Sequence, residues 1–276
     1  MCGFHEACRR SRSLKLAKQE EALCSVDNMD ILETDAYDRR QRRNTSCALL
    51  FSLTPFFLAS AAYFYLYTPD TPASIILAAV KSAPALLLAA AVLSWNGGQS
   101  VVGVAGGLVL SAVGDCCLIW PGFFLHGMAA FAVAHLLYSL SFLSSRYEAY
   151  SSSSWTGLLY LILVVIAGSF YAYLFPFLQK DPKSDLLTPA VGVYVILITM
   201  TGILAIRTRR AFTLLGSLFF IVSDIALALQ QFKVTAPVQH GNTVVMVTYY
   251  LAQLLISIGD MRAVEIKNEF AKWKRS

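Results

Sequence analysis

Gly107-Leu-Val-Leu-Ser-Ala-Val-Gly-Asp115-Cys-Cys-Leu118 is an apolar run with one carboxylate in its middle. It lies within a longer apolar segment, Val101–Trp120. Such a segment is long enough to cross a hydrocarbon layer about 30 Å thick. A charge at the bilayer centre costs about 2.5–3.5 kcal/mol, so it faces a protein interior or a wet cavity. A second run, Gly216-Ser-Leu-Phe-Phe-Ile-Val-Ser-Asp224-Ile-Ala-Leu227, aligns with the first without a gap at an offset of 109 residues. Both carry Gly, then Val-small-Asp, then Leu at matching positions.

The rest of the 276-residue chain fits this reading: 57% of it is hydrophobic and only 14% charged. A soluble domain averages about 45–50% apolar and about 25% charged residues. The 39 charged side chains are unevenly spread, with 17 in residues 1–47, 8 in residues 260–276 and 14 in the 212 residues between. Eight apolar segments are predicted to be spans: Cys47–Tyr67, Pro72–Leu93, Val101–Trp120, Phe123–Leu143, Trp155–Leu178, Leu186–Ile206, Phe212–Phe232 and Thr243–Met261. No segment alternates apolar and polar residues as a membrane β-barrel strand does. The fold class is therefore an all-α polytopic membrane protein with eight transmembrane helices.

With the N-terminus inside, 13 basic residues fall at the cytoplasmic ends of the spans and only Lys180, Lys183 and Lys233 fall opposite. This positive-inside bias predicts that both termini are cytosolic. It also accounts for the net charge of +5 without a nucleic-acid partner. Residues 1–47 read as a polar, disordered cytosolic tail, with a short helix around Ser13–Leu23 as its one candidate element. The tail lacks the apolar core of a signal peptide, so the first span is expected to act as signal anchor. Residues 48–261 form the membrane domain, and residues 262–276 a basic cytosolic tail. None of the six cysteines falls in a predicted lumenal loop, so structural disulfides are not expected.

The two aspartates occupy the third helix of each four-helix half, which predicts a parallel four-plus-four repeat. In the following helices, Phe131-x-x-x-His135 corresponds to Tyr249-x-x-x-Gln253. Shared apolar composition is the competing explanation of the likeness. Of the 14 charges between residues 47 and 260, only Lys81, Asp115 and Asp224 fall inside spans. At 1.5 Å per residue, Asp115 lies about 21 Å and Asp224 about 18 Å along their spans, and Lys81, His135 and Gln253 fall at comparable depths, so all five can converge on one cavity. Phe131, His135, Tyr138 and Phe142 share one helix face, as do Tyr249, Gln253 and Ser257. Either aspartate can instead serve Lys81 as a buried counter-ion. Tyr138, Tyr249 and Gln253 can be interhelical hydrogen-bond glue, and His135 a structural histidine.

Two carboxylates in a water-poor interior suit acid–base chemistry, one holding a proton while the other is ionised. A zinc site is disfavoured, because only His126 and His135 lie in or near spans and three protein ligands are usual. No Gly-x-Ser-x-Gly elbow is present.

Several motifs carry a family resemblance. They are Ser111-Ala-Val-Gly114-Asp115-Cys-Cys-Leu-Ile-Trp120-Pro121, His126-Gly127-Met-Ala-Ala-Phe131-Ala-Val-Ala-His135-Leu-Leu-Tyr138, Lys81-Ser-Ala-Pro84, Leu218-Phe-Phe-Ile-Val-Ser223-Asp224 and Thr248-Tyr-Tyr-Leu-Ala-Gln253-Leu-Leu-Ile256. Together they resemble the lysoplasmalogenase (YhhN-like) family, above all its animal transmembrane protein 86 members, over roughly residues 50–260. The resemblance implies hydrolysis of the vinyl ether bond of lysoplasmalogens to a fatty aldehyde and glycerophosphoethanolamine or glycerophosphocholine. Asp115 and Asp224 would be the catalytic pair, one as acid and the other as stabilising carboxylate and base. His135, Tyr138, Ser223, Tyr249 and Gln253 would support them, and Lys81 would assist the phosphate or tune an aspartate. The implied partners are a lysophospholipid and the bilayer, with no cofactor, and the endoplasmic reticulum is the default location. A proton-coupled transporter of a lipid or small amphiphile is the competing class, since carriers also use repeats and midplane carboxylates. Against it, no discontinuous helix is evident in the sequence.

Overall fold

A computed structural model describes residues 40, 44–68, 71–147, 154–180, 182–234 and 241–273. The chain divides into two compact units, Met1–Ser52 and Leu53–Ser276. Most of the polar tail, including the candidate helix at Ser13–Leu23, lies outside the described residues. All regular elements among the described residues are helices: α1 (Asn44–Leu66), α2 (Ile75–Asn96), α3 (Gly106–Cys117), α4 (Phe124–Leu143), α5 (Ser154–Leu178), α6 (Ser184–Thr208), α7 (Ala211–Gln231) and α8 (Gly241–Trp273). Hydrocarbon offers the backbone no water to bond, so apolar runs of this length satisfy their peptide groups as helices. Local signals set some ends. Ser74 caps α2 by accepting the Leu77 N–H at 3.1 Å. Arg209 ends α6 in the left-handed region at φ 51°.

Seven of these helices are long and apolar enough to cross a membrane. The exception is α3, where hydropathy predicts a single span over Val101–Trp120. Its α-helical part has 12 residues, or about 18 Å, too short for the hydrocarbon layer. Val102 (ψ 74°) and Gly103 (ψ −130°) leave helical geometry just before it. Gly97, Gly98, Gly103, Gly106 and Gly107 crowd this region and lower the cost of unwinding the chain. A Cβ on Gly103 would come within 3.3 Å of Ser141, so the unwound chain packs closely on α4.

A buried polar cluster holds the same segment. Asp260 of α8 is fully buried and accepts hydrogen bonds from Asn96 Nδ2 (2.8 Å) and Ser100 Oγ (2.7 Å). Arg146 pairs with it at 3.2 Å and also donates to Ser100 Oγ at 2.8 Å. In the sequence Asp260 falls in the charged C-terminal stretch 260–276 and Arg146 at a span end; the structure buries both. Burial pushes the Tyr147 phenol, which donates to Asp260 at 3.4 Å, far above its ordinary range. Helix α8 also continues past Met261 to Trp273.

Helix α3 packs on α2 and α4, α7 on α8, and α4 on α6. From Leu53 onward, α1 lays Phe56 and Tyr63 edge-on against Tyr250 of α8. Helix α5 is the least buried of the seven long helices.

Candidate functional site

Asp115 projects from α3 into the interior and is 2% exposed. Its Oδ1 lies 3.9 Å from Lys81 Nζ, and its Oδ2 accepts the Tyr249 hydroxyl at 2.6 Å. Lys81 sits on α2, and Tyr250 donates to its backbone carbonyl at 2.8 Å. Of the two aspartates, Asp115 is the one within ion-pair distance of Lys81.

Asp224 projects from α7 into a second cluster. Its Oδ2 accepts the Tyr194 hydroxyl at 2.7 Å and lies 3.7 Å from His135 Nε2. The Tyr194 hydroxyl is also 3.4 Å from that nitrogen. His135 Nδ1 is buried and has no hydrogen-bond partner among the described residues.

The two clusters are joined through rings. Phe220, one turn before Asp224, lies 4.6 Å from the His135 ring and 5.6 Å from the Tyr249 ring between centroids. Phe131 packs on both Phe220 and Tyr249. Tyr138 donates to Gln253 Oε1 at 2.7 Å and sits 3.2 Å from Ser111 Oγ, while its ring packs on His135. Tyr138 and Phe131 of α4 thus meet Gln253 and Tyr249 of α8. Ser223 is the exception among the expected site residues: its hydroxyl donates to the Val245 carbonyl at 3.0 Å and ties α7 to α8.

An apolar pocket opens between α4, α5, α6 and α7. Phe131, Phe170, Leu174, Val191 and Ile198 line it, and Asp224 and Tyr194 stand in its wall. Asp115 and Lys81 are not among its lining residues. Of the two aspartates, Asp224 lines this pocket, and Asp115 is linked to it through the Tyr249, Phe220 and His135 rings. Sequence reasoning misses two participants, Tyr194 and Phe220. The signal for Tyr194 is the stripe Val191, Tyr194, Val195, Ile198, Thr199, which recurs at i, i+3, i+4, i+7, i+8 and is the pocket face of α6.

Fold and site together define a polytopic α-helical membrane protein with two interior carboxylate clusters, one of them open to an apolar pocket. Residues 76–259 match the YhhN family, and the chain belongs to it. It is 38% identical over 216 residues to the Sus scrofa protein named lysoplasmalogenase TMEM86B, covering 78% of this chain and 88% of that one. It is 36% identical over 234 residues to lysoplasmalogenase TMEM86A of Bos taurus, covering 77% and 90%. A mycobacterial relative, named lysoplasmalogenase in Mycobacterium bovis, is 29% identical over 203 residues, or 70% and 73% of the two chains. No solved structure matches the chain.

Proposed function

We propose that this protein is a membrane hydrolase that cleaves the vinyl ether bond of lysoplasmalogens, releasing a fatty aldehyde and glycerophosphoethanolamine or glycerophosphocholine. The observation that carries the proposal is Asp224 in the wall of an apolar pocket, with a second buried carboxylate, Asp115, linked to it through the Tyr249, Phe220 and His135 rings. Relatives named lysoplasmalogenase at 36–38% identity support it. A vinyl ether hydrolyses by protonation at carbon, which leaves an oxocarbenium ion for water to capture. The reaction needs a carboxylic acid, a nearby anion and water, and no cofactor. Asp115 and Asp224 supply the acid and the anion. Lys81, His135, Tyr138, Tyr249 and Gln253 hold them in place.

Asp115→Asn and Asp224→Asn are each expected to abolish aldehyde release by purified protein that still unfolds cooperatively above the assay temperature. Full activity in either variant would remove the mechanism.

The carrier reading has one observation in its favour, the interruption of α3 at Val102–Gly103. Interrupted helices line the substrate sites of many transporters. Counterflow of a lysophospholipid in proteoliposomes, without aldehyde, would select it.

The wider setting follows from the same proposal. Both termini face the cytosol on the positive-inside count, and the endoplasmic reticulum is the expected membrane. The parallel repeat draws support from packing. A Cβ on Gly107 would fall on the Tyr138 ring, and one on Gly216 would come within 2.8 Å of Ile256. Gly107 and Gly216 are repeat partners, and Tyr138 and Ile256 are partners in the register that matches His135 with Gln253.

A further inference from the structure

We infer that Asp224 is the acid that protonates the alkenyl chain and that Tyr194, which no sequence motif marks, is its positioning residue; this rests on the lysoplasmalogenase reading. In a vinyl ether the carbon that accepts the proton is the one on the chain side, not the one bonded to oxygen. The donor must therefore stand against the hydrocarbon chain. Of the two carboxylates, Asp224 lines the apolar pocket and Asp115 does not.

The partners of the two carboxylates differ as well. Asp115 lies 3.9 Å from Lys81 Nζ. Among the described residues the only ion-pair partner of Asp224 is His135, at 3.7 Å. Both close contacts of Asp224 fall on Oδ2, and Oδ1 has no hydrogen-bond partner among the described residues. The Tyr194 hydroxyl is the shortest of these contacts, at 2.7 Å. By tying Oδ2 it fixes the carboxyl plane and leaves Oδ1 to carry the proton.

The steps balance without an oxidant or reductant. The Asp224 carboxyl proton forms a C–H bond at the chain-side vinyl carbon with the π pair of the double bond. The ether oxygen shares a lone pair with the other vinyl carbon, giving an oxocarbenium ion beside the new carboxylate. Water adds to that carbon and returns its proton to Asp224. The hemiacetal hydroxyl then loses its proton as the carbonyl forms, the carbon–glycerol oxygen bond breaks, and the glycerol oxygen takes up a proton. One water is consumed for each aldehyde released.

Tyr194→Phe keeps the ring in the pocket wall and removes only the hydroxyl. Measured on purified protein with a lysoplasmalogen, kcat is expected to fall by about tenfold to a hundredfold, a part of the full general-acid contribution. KM is expected to stay within about twofold, and the solvent deuterium isotope effect on kcat to rise as proton transfer becomes more limiting. Unchanged kcat, or a raised KM with kcat intact, would make Tyr194 a pocket wall only and overturn its role. The acid is tested separately by adding formate to Asp224→Ala and Asp115→Ala. Restored aldehyde release in Asp224→Ala alone supports the assignment; restoration of Asp115→Ala, or of neither, overturns it. Wild-type protein that releases no aldehyde would instead remove the underlying function, a result distinct from either failure.

Discussion

Lys81 and Asp115 show how one buried pair can serve both stability and function. Each is almost fully buried, and they lie 3.9 Å apart. Removing one partner strands the other in a low-dielectric interior, at a cost of about 3–5 kcal/mol. Lys81→Met is therefore expected to lower the unfolding temperature in detergent sharply. The double variant Lys81→Met/Asp115→Asn should recover most of that loss, because neither charge remains, yet stay inactive. A loss in the double variant equal to the sum of the Lys81→Met and Asp115→Asn losses would show that the pair is not coupled. These residues are legible in the sequence because a charge in an apolar run stands out against its neighbours. Their pairing is not, since depth alone puts Lys81 level with both aspartates. Asp260 and Arg146 escape for the opposite reason: they sit at span ends, where charges usually meet water. Tyr194 escapes because a tyrosine among aliphatic residues is ordinary, and only its neighbours in space give it a role.

Between helices, the tightest contacts are set by glycines. Gly107 and Gly216 each let a neighbouring helix approach where a methyl group would collide, with Tyr138 in one case and with Ile256 and the Ala252 carbonyl in the other. A methyl group on Gly168, in the outward-facing α5, would meet nothing within 4 Å. Gly107→Ala should cost about 1–3 kcal/mol through overpacking. Gly168→Ala should be neutral or slightly stabilising, as expected for a glycine replaced within a helix. Thermal unfolding of the two variants side by side checks this. The long helices are readable from hydropathy because each is a continuous apolar run. The break before α3 is not, since Val101-Val-Gly-Val-Ala105 is as apolar as any helix. Only the density of glycines hints at it, and the cluster that holds it draws on Asn96, Ser100, Arg146 and Asp260, residues up to 164 positions apart.

At the scale of the whole molecule, the arrangement suits a substrate with a long apolar tail. The pocket is walled partly by α5, the least buried of the long helices, and its polar feature is the Asp224–Tyr194 pair. On the proposed function the alkenyl chain fills this pocket. Ala167→Phe would place a ring inside it, so KM should rise about tenfold or more for long alkenyl chains and much less for short ones, measured across a chain-length series. The central claim is that the interior carboxyls deliver a proton to carbon. The most direct measurement is mass spectrometry of the aldehyde released by purified protein from a lysoplasmalogen in D₂O. Wild type should release an aldehyde with one deuterium on the carbon next to the carbonyl, and Asp224→Asn should not. An intact lysoplasmalogen after incubation with wild type, or undiminished deuterated aldehyde from Asp224→Asn, would contradict it.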